Sequence, residues 1–506
     1  MIQFSAQMRI RIFEGAFLFL ALAVPFVAYS ILALRYFYTL GALYGDAGVL
    51  AHVMWRSDLA LHAPYVAGGK SFLATHTTFI FILTSTVSDF LPFSKIQFFS
   101  LVFGVGYAMQ AGAVYWLLIS AYLPKSMRGF SLAAFLGMFF AFNGIALAAA
   151  RNPHFEMLII GSGMLFLVAL IRKKYALAAL FFLLCLLTRE DAGFDLFLLL
   201  VTGLVIGLFR KEKLAVHRAA ITFAVCALIY SVLVLVVQHL FFPGGDAFSR
   251  VYFALPPVFD VSWSDFTNRI AFLATYRLYI LLPVYIALVL AIRWRDPQVI
   301  AGGIAAIPWF FLNLFANSPY AATLSNYYAF PFIFALFWPL IGWQLECPLG
   351  GDESKLKQRL LGWSLMVVLS FVDVNVQQNP QGIDFPKSFV LMPSIAQQRS
   401  TDMALAELAK LAPRLGYVVA DGSVIALDPD HYKESQLVWA RQDQMPDTII
   451  YFPRGEGTRY AKDLATRAGL KNYYKILDTS LIVATNRSLK SSHLAVQLCE
   501  SCRLDP

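Results

Sequence analysis

The chain has 506 residues, 59% of them hydrophobic and only 14% charged, with a net charge of +9. Apolar runs recur through the first 376 residues, which excludes an ordinary soluble enzyme and marks a polytopic membrane protein. The positive balance does not indicate nucleic acid, because the basic residues fall mainly in short loops between apolar runs, where they report topology.

The first apolar run, 12–34, is too long for a signal-peptide core and reads as an uncleaved span. Arg9 and Arg11 before it place the N-terminus in the cytoplasm. About eleven spans follow the hydropathy: 13–34, 96–123, 130–149, 155–171, 175–187, 192–209, 219–241, 274–292, 299–315, 328–343 and 361–376. In this register Lys125 and Arg128, then 172–174, 210–218, Arg293 with Arg295, and 355–359 all fall in cytoplasmic loops. The apolar piece 79–87 is too short to span and is expected along the interface.

The sharpest anomaly is Thr188-Arg189-Glu190-Asp191, a charged cluster inside the apolar stretch 175–209. Basic clusters flank that stretch on both sides, so its ends share the cytoplasmic face and it must be a hairpin. Its first arm, 175–187, would reach roughly 20 Å as a helix, against a hydrocarbon core of about 30 Å. The cluster is therefore expected in a recess below the outer surface. Charges at membrane depth cost about 2.5–3.5 kcal/mol each on insertion scales and by default mark function.

From residue 377 the composition becomes that of a soluble domain, giving a transmembrane domain 1–376 and a domain 377–506 outside the membrane. A helix is expected at 402–415, strands at 417–420, 448–452 and 481–484, and a helix at 463–468, which together suggest a small α/β domain. The predicted fold is thus mainly α, a helical bundle with a C-terminal α/β domain. Among five cysteines, Cys499 and Cys502 have a spacing that fits a local disulfide better than a redox or zinc site.

Four constellations share the outer side in this topology. They are Gly45-Asp46 with Thr75-His76 in the first loop, Asn152-Pro153-His154-Phe155-Glu156, the Arg189 cluster, and Asn317 to Tyr328 with Tyr327 near its end. Each taken alone has an ordinary reading: a Gly-Asp turn, a helix cap, a buried ion pair, interfacial aromatics. Independent turns do not require carboxylates and imidazoles gathered on one face. Partly desolvated carboxylates suit general base work, and the same set offers oxygen ligands for a divalent cation. Arg189 supplies a fork for phosphate oxygens.

The order Tyr44-Gly45-Asp46, His76, His154-Phe155-Glu156, Arg189-Glu190-Asp191 and Asn326-Tyr327-Tyr328 before Pro331-Phe332 resembles a membrane-protein family, domain of unknown function 2079. That family is similar to the C-type glycosyltransferase fold, GT-C. The resemblance spans nearly the whole chain and implies sugar transfer from a polyprenyl-phosphate-linked donor to a glycan, lipid or protein acceptor. It implies Asp46 as the catalytic base, facing the cluster across a pocket. Arg189, Glu190, Asp191, His76, His154, Glu156 and Tyr327 would bind substrate, with Arg250 and Arg277 as further phosphate-neutralising cations. No cofactor is required with certainty. A divalent cation, Mg or Mn, would find ligands among Asp46, His154, Glu156, Glu190 and Asp191. Ala47 follows Asp46 where such enzymes often carry a second acid, and the next carboxylate is Asp58, which weakens a two-carboxylate metal site in that loop. The implied location is the bacterial cytoplasmic membrane, with the C-terminal domain periplasmic. The alternatives are a transporter or flippase for lipid-linked or anionic substrates, and a non-catalytic scaffold.

Overall fold

A computed structural model of the chain describes residues 6–42, 45–55, 59, 61–62, 71–210, 217–242, 251–253, 259–346, 353–376, 387–432, 437, 444–489 and 494–504. Two compact units emerge. The first comprises Met1–Val27, Leu73–Phe81 and Val102–Ile383, and the second Ala28–Phe72, Ile82–Leu101 and Asp384–Pro506.

The helices are α1 (Ala6–Tyr38), α2 (Asp46–Val53), α3 (Ile80–Ser88), α4 (Lys95–Ala121), α5 (Met127–Ala141), α6 (Gly144–Ala149), α7 (Met157–Ile171), α8 (Tyr175–Leu186), α9 (Ala192–Phe209) and α10 (His217–Phe241). They continue as α11 (Trp263–Tyr276), α12 (Leu278–Trp294), α13 (Ala301–Leu314), α14 (Pro331–Glu346) and α15 (Glu353–Val376). Among the described residues, six helical segments are long and apolar enough to cross a membrane, and two bent pairs bring the number to eight. Three shorter apolar helices, α5, α7 and α8, complete a polytopic bundle that follows the hydropathy closely.

One expected span is interrupted and another opens at a sharp bend, each for a local reason. The span expected at 130–149 breaks at Asn143, whose Oδ1 accepts the N–H groups of Ile145 and Ala146, both at 3.0 Å, and so starts α6 afresh. Gly144 follows because a Cβ there would lie 2.0 Å from the Ser370 carbonyl oxygen of α15. The span expected at 274–292 is carried by α12, which starts at an 83° bend from α11, at Arg277. Its guanidinium donates to the carbonyls of Thr323 at 2.9 Å and Tyr276 at 3.0 Å, and to Ser325 Oγ at 2.8 Å. The side chain that ties the bend together is itself buried.

In the second unit, α16 (Ile395–Leu415), α17 (Gly422–Leu427) and α18 (Glu456–Arg467) accompany five strands: β1 (Val418–Ala420), β2 (Thr448–Tyr451), β3 (Asn472–Ile476), β4 (Ile482–Thr485) and β5 (Val496–Leu498). The sheet order is β1-β2-β4-β3-β5, with β1 and β2 parallel and the remaining pairs antiparallel. Alternate side chains of β2 serve opposite faces. Ile450 joins Leu405 and Leu408 of α16, whereas Ile449 and Tyr451 join Ala461, Leu464 and Ala465 of α18. The result is helix, sheet, helix. Strands β3 and β5 escape the sequence reading: β3 does not alternate, since it buries two adjacent tyrosines, and β5 is only a three-residue edge.

The segment 28–55 belongs to this second unit. Gly48 of α2 would place a Cβ 2.3 Å from Ala426 Cα, so only glycine permits α2 to lie against α17. Asp421 begins α17: its Oδ1 accepts from Val424 N at 2.9 Å and its Oδ2 from Phe452 N at 2.6 Å. Burial pushes this carboxyl up to about 7, against the pull of those N–H donors. In the unfolded chain it would titrate near 4. Between about pH 4 and pH 7 the folded form therefore keeps a proton that the unfolded form has released. Stability should fall as pH rises through that window, by at most about 1.4 kcal/mol per unit, and level off above it. Asp421→Asn should flatten this slope. Unfolding temperatures of both proteins across pH 4.5 to 8 check it, and parallel curves would refute the titration.

Candidate functional site

The site is built in the first unit from three turns. Helix α8 has only 12 residues, about 18 Å of rise, so the turn after it lies well short of a full crossing of about 30 Å. That turn carries Arg189, Glu190 and Asp191, all buried. Arg189 Nε donates to Asp191 Oδ1 at 2.5 Å, and Nη2 pairs with Asp191 Oδ2, a bidentate fork. Its Nη1 donates to Glu156 Oε1 at 2.6 Å, and the guanidinium stacks over Phe330 with its carbon 5.2 Å from the ring centre.

Glu156 sits at the start of α7 and is fully buried. Its second oxygen bonds His154 Nδ1. The His154 ring lies 4.1 Å from that of Tyr327 and 4.8 Å from that of Phe155, near-parallel to both. Glu190 faces the other way. It accepts from Thr77 N–H at 2.8 Å and bonds His76 Nδ1 at 2.8 Å. Ile80 N–H donates to the Leu187 carbonyl at 2.8 Å, so backbone also ties the start of α3 to the charged turn. The His76 side chain retains 21% exposure and is the most open of these ionisable groups.

Tyr327 stands in a turn held in an uncommon conformation. Leu324 and Asn326 have φ of 48° and 53°, a region that bulky residues avoid. Arg277 fastens that turn through Thr323 and Ser325. Asp195 adds a fourth carboxylate one turn after Asp191 on α9. It is 2% exposed, and the Trp309 indole lies near it.

The assembly is a buried, acid-rich polar nest with one shared guanidinium and two imidazoles. Chemically it suits recognition of hydroxyl or amino groups, through carboxylate acceptors beside flat aromatic surfaces. Among the described residues, no three His, Cys, Asp or Glu side chains converge as a metal ion would require. All six carboxylate oxygens of Glu156, Glu190 and Asp191 are already engaged, by Arg189, the histidines and an amide.

Comparison with known proteins adds little to this. No family model matches the chain, and no curated protein matches it. Among solved structures, the chain is similar to ArnT from Cupriavidus metallidurans bound to undecaprenyl phosphate, at 14% identity, 96% of this chain, 99% of that one and a TM-score of 0.44. It is also similar to the archaeal oligosaccharyltransferase AglB from Archaeoglobus fulgidus, in complex with an inhibitory peptide and a dolichol-phosphate, at 11% identity, 96% of this chain, 76% of that one and a TM-score of 0.34. Both superpositions are loose.

Of the residues singled out from the sequence, His76, His154, Glu156, Arg189, Glu190, Asp191 and Tyr327 come together in the first unit. Arg277 is engaged at its helix bend. Arg250 lies outside the described residues, as do Tyr44 and Asp58. Asp46 belongs to the second unit, where it is exposed and opens α2. Sequence reasoning missed Asp195 as a site residue, although its spacing of four from Asp191 places both on one helix face. It also missed Thr77, which contributes only a backbone N–H and leaves no signature in its side chain.

Proposed function

We propose that this protein is a membrane glycosyltransferase of the GT-C type. It would move a sugar from a polyprenyl-phosphate-linked donor to an acceptor at the outer face of the cytoplasmic membrane. The observation that carries this reading is the nest of Glu156, Arg189, Asp191, Glu190, His76 and His154 beside Tyr327, which gathers sugar-binding chemistry where a bundle otherwise buries apolar side chains.

In this reading the nest holds the hydroxyls of the sugar or acceptor, and Arg189 adds positive charge toward a departing phosphate. The exposed carboxylate of Asp46 takes the proton of the acceptor hydroxyl. The acceptor oxygen forms a bond to the anomeric carbon as the bond from that carbon to the phosphate oxygen breaks, and the lipid phosphate leaves with the electron pair. The Cys499–Cys502 disulfide supports an oxidising, extracytoplasmic setting for the C-terminal segment.

Mass spectrometry of envelope glycans and lipid-linked sugars, in cells with and without the intact gene, tests the proposal. Loss of one glycan substituent with accumulation of one polyprenyl-phosphate sugar is the expected result. Unchanged glycans beside a lipid-linked sugar stranded on the inner leaflet would replace transfer with transport.

A further inference from the structure

The second unit contains a cavity that the transfer reading does not use. It is a half-open recess of about 460 Å³, within the range of small-ligand sites. Among the described residues three cations line it, Arg35, Arg454 and Lys475, and no aspartate or glutamate does. Hydroxyl and amide groups of Thr39, Ser480 and Gln397 complete the polar wall. Arg35 is 5% exposed, so one guanidinium is held largely out of water inside the protein. Arg454 and Lys475 are exposed at the rim. A concave wall of one sign, with low-dielectric sides, concentrates the opposite charge.

Position narrows the ligand. Arg35 lies in the last turn of α1, a helix long and apolar enough to cross a membrane, just beyond the apolar run that ends at Leu34. Beside the cavity, Val390, Leu391, Met392 and Ile395 expose large apolar side chains in close succession, with exposures of 54 to 66%. Exposed apolar patches of this kind beside a basic pocket match an amphiphile whose charged end enters the pocket and whose tail lies along the patch. The disulfide between Cys499 and Cys502 forms part of the wall, and Cys499 N–H donates to the Tyr473 carbonyl, which ties that wall to the sheet.

We propose that this cavity binds a phosphate ester, the phosphate seated among Arg35, Arg454 and Lys475. The phosphate is carried either by an anionic membrane lipid or by a soluble molecule. This inference stands apart from the transfer reading, because it concerns binding and needs no turnover.

The test uses full-length protein in phosphatidylcholine nanodiscs. One arm measures saturable binding of radiolabelled inorganic phosphate. The other adds a minority of phosphatidylglycerol and counts, by native mass spectrometry, the lipid retained after release into detergent. The paired variant Arg454→Ala, Lys475→Ala should weaken binding about 100-fold, with an unchanged unfolding temperature because both side chains are exposed. Lys475→Gln alone should give an intermediate loss. Phosphatidylglycerol retention without phosphate binding assigns a lipid headgroup, and phosphate binding alone assigns a soluble ester. Absence of binding in both arms, or equal binding by wild type and paired variant, overturns the proposal.

Discussion

Arg189→Leu should destabilise the protein by about 3–5 kcal/mol, the characteristic result of removing one partner from a buried charge network. Among the described residues the guanidinium is the cation that Glu156 and Asp191 share, and both carboxylates are almost completely buried. Without it, two negative charges remain in a low-dielectric setting, with Glu190 and Asp195 close along the chain. Arg189→Lys should recover only part of the loss, because one ammonium cannot reproduce a bidentate fork to Asp191 and a third bond to Glu156. Combining Arg189→Met with Glu156→Gln and Asp191→Asn should restore most of it, since neutral partners carry no unpaired charge. Detergent-solubilised protein followed by thermal unfolding and size-exclusion fluorescence reads all three. A single variant that unfolds like the wild type would show that the nest is solvated and not structural.

Asp46→Asn should lower transfer by a factor of about 10² to 10⁴, the usual contribution of a positioned general base, with little change in unfolding temperature. The two expectations separate because Asp46 is exposed at the first turn of α2. A carboxylate whose role is to favour a helix N-terminus is worth about 0.3–1 kcal/mol, and it has no bearing on a chemical step. Asparagine keeps the shape and can still occupy a first turn, but it cannot take a proton at neutral pH. Loss of rate with intact stability therefore supports the base. Loss of stability with intact rate reduces Asp46 to a helix-end charge. Restoration of activity at high pH in the variant would add that deprotonation of the acceptor limits the rate.

Much of the bundle was legible because it rests on local quantities. Residues 192–209 were expected as a span and form α9 with the same limits; residues 175–187 were expected to be too short, and α8 ends at Leu186. The breaks at Asn143 and Arg277 were not legible. At Asn143 the flanking residues stay apolar and the break comes from a side-chain cap, whereas at Arg277 the sequence turns polar but the 83° bend comes from a side chain finding distant partners. The strands β1, β2 and β4 declared themselves through short apolar runs, whereas β3 needs its partners on both sides to be a strand.

The same division holds at the site. The sequence by itself determined that charges would lie at membrane depth after a short helix, because transfer from water to hydrocarbon is a property of each segment. Which charge meets which was decided only by the tertiary structure. Glu156 reaches Arg189 across 33 positions, and Glu190 reaches His76 across 114. It likewise decided that Gly48 lets the first loop lie on a helix near residue 426, and that Arg35 shares a cavity with Lys475. Such pairings depend on ångström-scale approach between segments far apart in the chain, and no local free energy encodes that.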